Sequence, residues 1–250
     1  MAYFAGRAAA LGRASSAAVA AMLYNFNPAL VARHLPRAWD LASPERVIEA
    51  RLSAVDRALR RILGDEAVGG PEVAEAAALA RAAAEACSPE GRPLYAAHAQ
   101  LPWPREPHLV LWHAITLLRE HRGDGHITAL VGHGVGAIAA LVTDTATGRS
   151  LFGAQQMREH RDWSEQEWDA EVSALTEAGL LDSSGRLTEA GSRLRSRIEE
   201  ATDAAAAPPY RSLGADRAER LIALCKPLRD AVVASGDLPP ADAAAQPAHG

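Results

Sequence analysis

Apolar residues recur at three-and-four spacing through residues 44–63, where Ile48, Leu52, Val55, Leu59 and Ile62 form one stripe. That period predicts an amphipathic helix. Ser43 suits its cap, Pro44 the first helical position and Gly64 the exit. A second helix follows Gly69-Gly70-Pro71, runs to about Cys87, and ends at Ser88-Pro89-Glu90-Gly91. Residues 101–107 hold three prolines in seven positions and read as a rigid connector, the expected internal boundary. Beyond it the pattern predicts an apolar helix over 108–121. Asp124 then caps a separate helix from Gly125 to about Gly132. Further helices are expected near 135–146 and 151–158. Ser164 opens another, to Ala178, with Glu167 three residues on as a capping box. Two short strands around the turn Asp182-Ser183-Ser184-Gly185 predict a hairpin at about 180–187. Thr188-Glu189-Ala190-Gly191 starts a helix to about Asp203, and a last helix covers 215–235. Residues 236–250 are rich in Pro, Ala and Gly and are expected to be disordered.

Composition strengthens the helical reading. Hydrophobic residues make up 48% of the 250 and aromatic residues only 5%, and alanine, the best helix former, dominates the apolar fraction. A net charge of −5 argues against a chain that mainly coats phosphate. No long apolar run or signal pattern is present, so no membrane association is expected and the expected location is the cytoplasm. Cys87 and Cys225 have neither metal-like nor redox spacing and read as reduced thiols.

A shift of 119 positions lays Gly6–Leu11 on Gly125–Leu130 and Val19–Leu23 on Ile138–Val142. This suggests a tandem repeat. The order helix, helix, helix, hairpin, helix, with Leu-Thr-x-x-Gly at 187–191, resembles the wing region of MarR-type regulators over about 135–203. The expected fold is therefore mostly α, with two tandem winged-helix-like units carrying small β-hairpin wings. Residues 1–100 form the first unit, 101–107 the connector, 108–214 the second unit, 215–235 a C-terminal helix and 236–250 the tail. Tyr3-Phe4-Ala5-Gly6-Arg7, Tyr24-Asn25-Phe26-Asn27-Pro28, Pro107-His108-Leu109 and the run from Leu118 to His126 carry a second likeness, over nearly the whole chain. They resemble an actinobacterial group of helix-turn-helix-like proteins of unknown function. That likeness implies a fold but no activity, and no functional residue carries over. It also implies an N-terminal helix before Tyr3, which this chain is expected to lack.

Arg119 to His126 packs two arginines, a Glu, an Asp and two histidines into eight residues split by Gly123 and Gly125. Read as a turn, this is the leading candidate site. Arg119 and Arg122 suit a carboxylate or phosphate, helix-start amides after Asp124 favour an anion, and His121 and His126 suit proton transfer. Arg7, Asn25 and Asn27 of the first repeat would complete the site across a cleft; the bland reading makes the asparagines helix caps. No metal is expected, because adjacent arginines disfavour a cation beside His121, Asp124 and His126. No P-loop, dinucleotide glycine pattern or nucleophile elbow occurs, so no cofactor is expected.

The helix in the DNA-reading position, Ser164–Ala178, carries Glu165, Glu167, Asp169, Glu171 and Glu177 and no Lys or Arg. Phosphate repels such a helix. The expected function is a small-molecule-binding protein that does not bind DNA through this helix, with a small anionic or aromatic partner; a homodimer stays open. One alternative is a cofactor-independent enzyme using His121 and His126 as acid and base. The other is a ligand-responsive transcriptional regulator.

Overall fold

The computed structural model describes residues 1–237. In chain order the helices are α1 (Ala2–Ala8), α2 (Ser16–Leu23), α3 (Pro28–His34), α4 (Arg37–Leu41), α5 (Pro44–Leu63), α6 (Asp65–Val68), α7 (Pro71–Glu85) and α8 (Pro93–Ala99). They continue with α9 (Pro107–Gly132), α10 (Ala137–Thr145), α11 (Ala154–Arg161), α12 (Glu165–Glu177), α13 (Glu189–Ala206), α14 (Pro208–Leu213) and α15 (Ala215–Ala234). A short 3-10 turn, Ala9–Leu11, follows α1.

The described residues form two compact units, and each takes its pieces from separate stretches of chain. The first holds Met1–Ala14, Leu35–Gly125 and the residues from Asp203 onward; the second holds Ser15–His34 and His126–Thr202. The proline-rich segment 101–107 lies inside the first unit. The helices α2 and α10, which the 119-residue offset lays on one another, both belong to the second. The tail expected to be disordered lies outside the described residues from 238 on.

In the first unit the core gathers Leu79, Ala80 and Ala83 of α7, Leu111, Ala114 and Leu117 of α9, and Leu221 and Leu224 of α15. Alanine on α7 lets neighbouring helices approach closely, so packing rather than side-chain bulk fills the space. In the second unit Leu130, Leu141, Trp168, Leu175, Leu181 and Ile198 form the core. The expected caps form where their chemistry demanded. Ser43 Oγ accepts the Arg46 amide at 3.4 Å. Ser164 and Glu167 close a reciprocal capping box, with Oγ accepting the Glu167 amide at 3.2 Å and the carboxylate accepting the Ser164 amide at 3.0 Å.

Two expectations need correction. The β-hairpin wings are not formed: among the described residues there is no strand, and residues 180–187 hold only one isolated bridge, Leu181 to Leu187. The arms are too short to pair further. Gly179, at φ 70°, ends α12 on one side, and Thr188 caps α13 on the other by accepting the Gly191 amide at 3.1 Å. Between them the Asp182 carboxylate takes the amides of Ser184 (2.8 Å) and Arg186 (3.1 Å), and among the described residues the arms make only two backbone hydrogen bonds, from the Asp182 amide to the Arg186 carbonyl (2.8 Å) and from the Thr188 amide to the Leu180 carbonyl (3.0 Å). The glycine of Leu-Thr-x-x-Gly has its own reason, since a Cβ at Gly191 would overlap the Leu180 carbonyl oxygen.

The second correction concerns Arg119 to His126, which is helix and not a turn. Helix α9 runs unbroken from Pro107 to Gly132 through both Gly123 and Gly125. Each glycine costs a helix about 1 kcal/mol relative to Ala. Burial of the apolar side chains Leu117, Leu118, Ala129 and Leu130 along the same rod outweighs that cost. Gly125 also makes room for a neighbour: a Cβ there would come within 2.5 Å of an Arg92 guanidinium nitrogen, which would have to shift. Arg92 lies across the helix at this point and donates to the carbonyls of His121 and, at 2.9 Å, Ala205.

Candidate functional site

Because α9 is continuous, its charged residues separate by position. At about 100° per residue, Glu120, His121 and Asp124 share one side while Arg119, Arg122 and His126 share the other. The first three are buried, at 1%, 2% and 4% exposure; Arg119 and Arg122 reach solvent.

The buried side makes capping and packing contacts. Asp124 caps α8 from outside, its carboxylate accepting the Tyr95 amide at 3.0 Å, and burial pushes its pKa up to about 6. His121 meets the Tyr95 ring edge-on with centroids 5.3 Å apart, and burial brings its pKa down to about 4. Tyr95 in turn donates its hydroxyl to the carbonyls of Ala84 and Cys87 at the end of α7. On the other side, Arg122 pairs with Asp203 at 3.0 Å. His126 Nδ1 lies 2.9 Å from the Thr202 hydroxyl. His121 and His126 stand about 140° apart round one helix, a poor arrangement for an acid and base serving one substrate.

Asn25 and Asn27 are anchors within the second unit. The Asn25 carbonyl accepts the Trp163 indole at 3.0 Å. Asn27 Oδ1 accepts the Ala29 amide at 2.9 Å at the start of α3, and its amide nitrogen donates to the Asp162 carbonyl at 3.0 Å.

Arg7 and Arg119 are brought together. Both grip Glu120: Arg7 Nε donates to Oε1 at 3.2 Å, its NH2 to Oε2, and Arg119 NH1 to Oε1 at 2.7 Å. Burial, the largest single influence, lowers the Arg7 pKa, but the charges and hydrogen bonds of Glu120 and Tyr3 together outweigh it and the net shift is upward. The Arg7 carbonyl accepts from His98 Nε2 at 3.1 Å, which fixes the end of α1 on α8.

Arg7 and Arg119 also line a cavity of about 970 Å³ within the first unit, walled by α1, α4, α5 and α9. Its surface is mainly apolar, from Tyr3, Leu41, Val47, Trp112 and Ile115, and four guanidiniums reach it: Arg7, Arg46, Arg51 and Arg119. Arg51 lies over the Trp112 ring at 4.7 Å and donates to the Gly6 carbonyl at 3.1 Å. No carboxylate is in ion-pair contact with Arg46 or Arg51 among the described residues. Burial lowers the Arg51 pKa. Thus a chain of net charge −5 presents four cations to one cavity, against the single carboxylate of Glu120.

The candidate site read from the sequence did not include Arg46 or Arg51. A signal for Arg51 existed. It stands three residues after Ile48 and four before Val55, inside the apolar stripe, with no acid at helical spacing. Arg60, by contrast, has Asp56 one turn away at 2.9 Å.

The described fold is a mostly helical protein with an amphipathic cationic cavity. Its membership is more specific: the chain belongs to a helix-turn-helix family, whose model matches residues 1–239. No curated protein and no solved structure matches it. Among the described residues no single helix is long and apolar enough to cross a membrane.

Proposed function

We propose that this helix-turn-helix protein binds a small organic anion with an apolar body, in the cavity between α1, α4, α5 and α9. The observation that carries the reading is the pairing of a mainly apolar wall with Arg46 and Arg51, two guanidiniums without carboxylate partners. Ligand pockets are commonly apolar with a few convergent polar groups. A carboxylate is the group that a guanidinium fork accepts in two parallel hydrogen bonds. Arg7 and Arg119 belong to the same wall but share the Glu120 carboxylate, whereas Arg51 pairs with none among the described residues, so Arg51 is the leading anchor.

Isothermal calorimetry with benzoate, octanoate and their neutral amides tests this. The acids bind and the amides bind at least tenfold more weakly, as loss of a charge-assisted hydrogen bond requires. Arg51→Met weakens the acids by about 10–100-fold and leaves the amides unchanged. Equal affinity for acid and amide, or full affinity in Arg51→Met, overturns the reading.

Family membership favours a second reading, a regulator that couples such a ligand to DNA. The acidic run Glu165, Glu167, Asp169 and Glu171 on α12 opposes contact with phosphate through that helix. A gel shift on genomic fragments at low salt decides it, and absence of any shift removes the regulator.

A further inference from the structure

A second cavity, of about 260 Å³, opens in the same unit and is lined almost wholly by apolar side chains, among them Leu59, Leu63, Val73, Leu228 and Val232. Trp112 and Ile115 of α9 belong to the walls of both cavities. The two spaces therefore adjoin at that pair of side chains, with Arg7, Arg46, Arg51 and Arg119 beside the first and a mainly apolar lining, interrupted by His108 and Arg229, beside the second.

Two further observations bear on what fits there. The apolar stripe of α5 is only half-buried along its whole length from Ile48 to Ile62, although such stripes normally face a core. Of the nine large apolar side chains left exposed among the described residues, five (Met1, Tyr3, Leu41, Ile115 and Val233) line one of these two cavities. Clustering of that kind marks a binding surface rather than scattered surface apolarity.

We infer that the anion bound here carries a long, unbranched apolar tail, its carboxylate at Arg51 and its chain running past Trp112 and Ile115 into the second cavity. This rests on the anion reading above. Along α5, Arg51 and Leu59 are about 12 Å apart at 1.5 Å rise per residue, a span that a medium-length alkyl chain covers and a single aromatic ring does not. Charge complementarity selects this occupant. A neutral lipid leaves Arg46 and Arg51 unmatched, and a short aryl acid leaves the second cavity empty.

The test is a calorimetric series of hexanoate, octanoate, decanoate and dodecanoate, kept below micelle-forming concentrations, with benzoate and the methyl ester of dodecanoate as controls. Trp fluorescence serves as a second readout, assigned to Trp112 among the five tryptophans by loss of the change in Trp112→Phe. Affinity rises about fourfold per methylene along the series, and the ester binds at least tenfold more weakly than the acid. Val232→Trp, which fills the second cavity, removes the gain beyond octanoate and leaves hexanoate unchanged. Leu63→Phe serves the same purpose if circular dichroism shows that Val232→Trp misfolds.

If hexanoate, dodecanoate and benzoate bind alike, the tail inference falls and the anion reading stands. If acid and ester bind equally, the headgroup assignment and the anion reading both fall. A dimer that Val232→Trp disrupts, together with no binding of dodecanoate, gives this face to a second copy of the chain and overturns the inference.

Discussion

Replacing Gly125 by alanine should destabilise the protein, although alanine is the better helix former. Position 125 is interior to α9 and helical, so propensity alone predicts a gain of about 1 kcal/mol. The new Cβ would stand 2.5 Å from one Arg92 nitrogen and 3.3 Å from the guanidinium carbon, so the guanidinium must move. Moving it breaks or strains the bonds to the His121 and Ala205 carbonyls. Hydrogen bonds from a charged donor contribute about 1.5–3 kcal/mol each. The Ala205 carbonyl also lies in the last turn of α13, where no helical amide follows to satisfy it. Loss of one bond and weakening of the other, offset by propensity, leaves a net loss of about 2 kcal/mol. Urea denaturation followed by circular dichroism measures it. An Arg92→Ala background isolates the cause: there Gly125→Ala should stabilise by about 1 kcal/mol, giving a coupling near 3 kcal/mol in the double-mutant cycle. Stabilisation by Gly125→Ala in the otherwise native chain, or a coupling near zero, refutes the reasoning.

Glu120→Gln removes the carboxylate between Arg7 and Arg119 and leaves the largely buried Arg7 without a counter-charge; a loss of about 3 kcal/mol in urea denaturation is expected. His113 and His121, each brought down to about 4 by burial, favour the neutral fold, so each contributes about 3 kcal/mol that is present above about pH 6.5 and lost as pH falls towards 4. Asp124, raised by burial to about 6, acts oppositely: its contribution is present below about pH 4 and lost as pH rises through 6. Asp124→Asn should therefore steepen the fall in stability from pH 7 to pH 4 by about 3 kcal/mol, and an unchanged slope in pH-dependent denaturation counts against the assignment. Burial pushes the Cys87 thiol up to about 11, so under native conditions at pH 8 its alkylation by iodoacetamide should be far slower than that of a free cysteine peptide, as read by mass spectrometry.

Local rules were legible in the sequence. The α5 stripe, the Ser43 and Ser164 caps and the start of α13 at Thr188 follow from side chains that act within one turn. Long-range packing was not. Gly123 and Gly125 read as a break because glycine's cost is local, while the burial that overrides it comes from other helices. Arg92, thirty-three positions before Gly125, explains that glycine only once α8 and α9 are together. The hairpin failed for the opposite reason: turn chemistry at Asp182–Gly185 was recognised, but the helix ends left no residues for a ladder. The chemistry at Arg119–His126 was correctly seen as dense, yet a helix distributes neighbours round its axis. Only Arg119 joins Arg7 at the cavity, and Arg51 and Trp112 come from other parts of the chain.

The chain enters its second unit at Ser15, leaves it after His34, and returns only at His126. During synthesis the segment 15–34 emerges long before the residues it packs with, and the first unit in turn waits for the residues after Asp203. Domains whose segments are contiguous can fold as each leaves the ribosome; here neither unit is complete until most of the polypeptide has been made. Cutting the gene at the proline-rich stretch 101–107 would thus divide both units rather than separate them, and fragments expressed from the two sides should be soluble only when produced together.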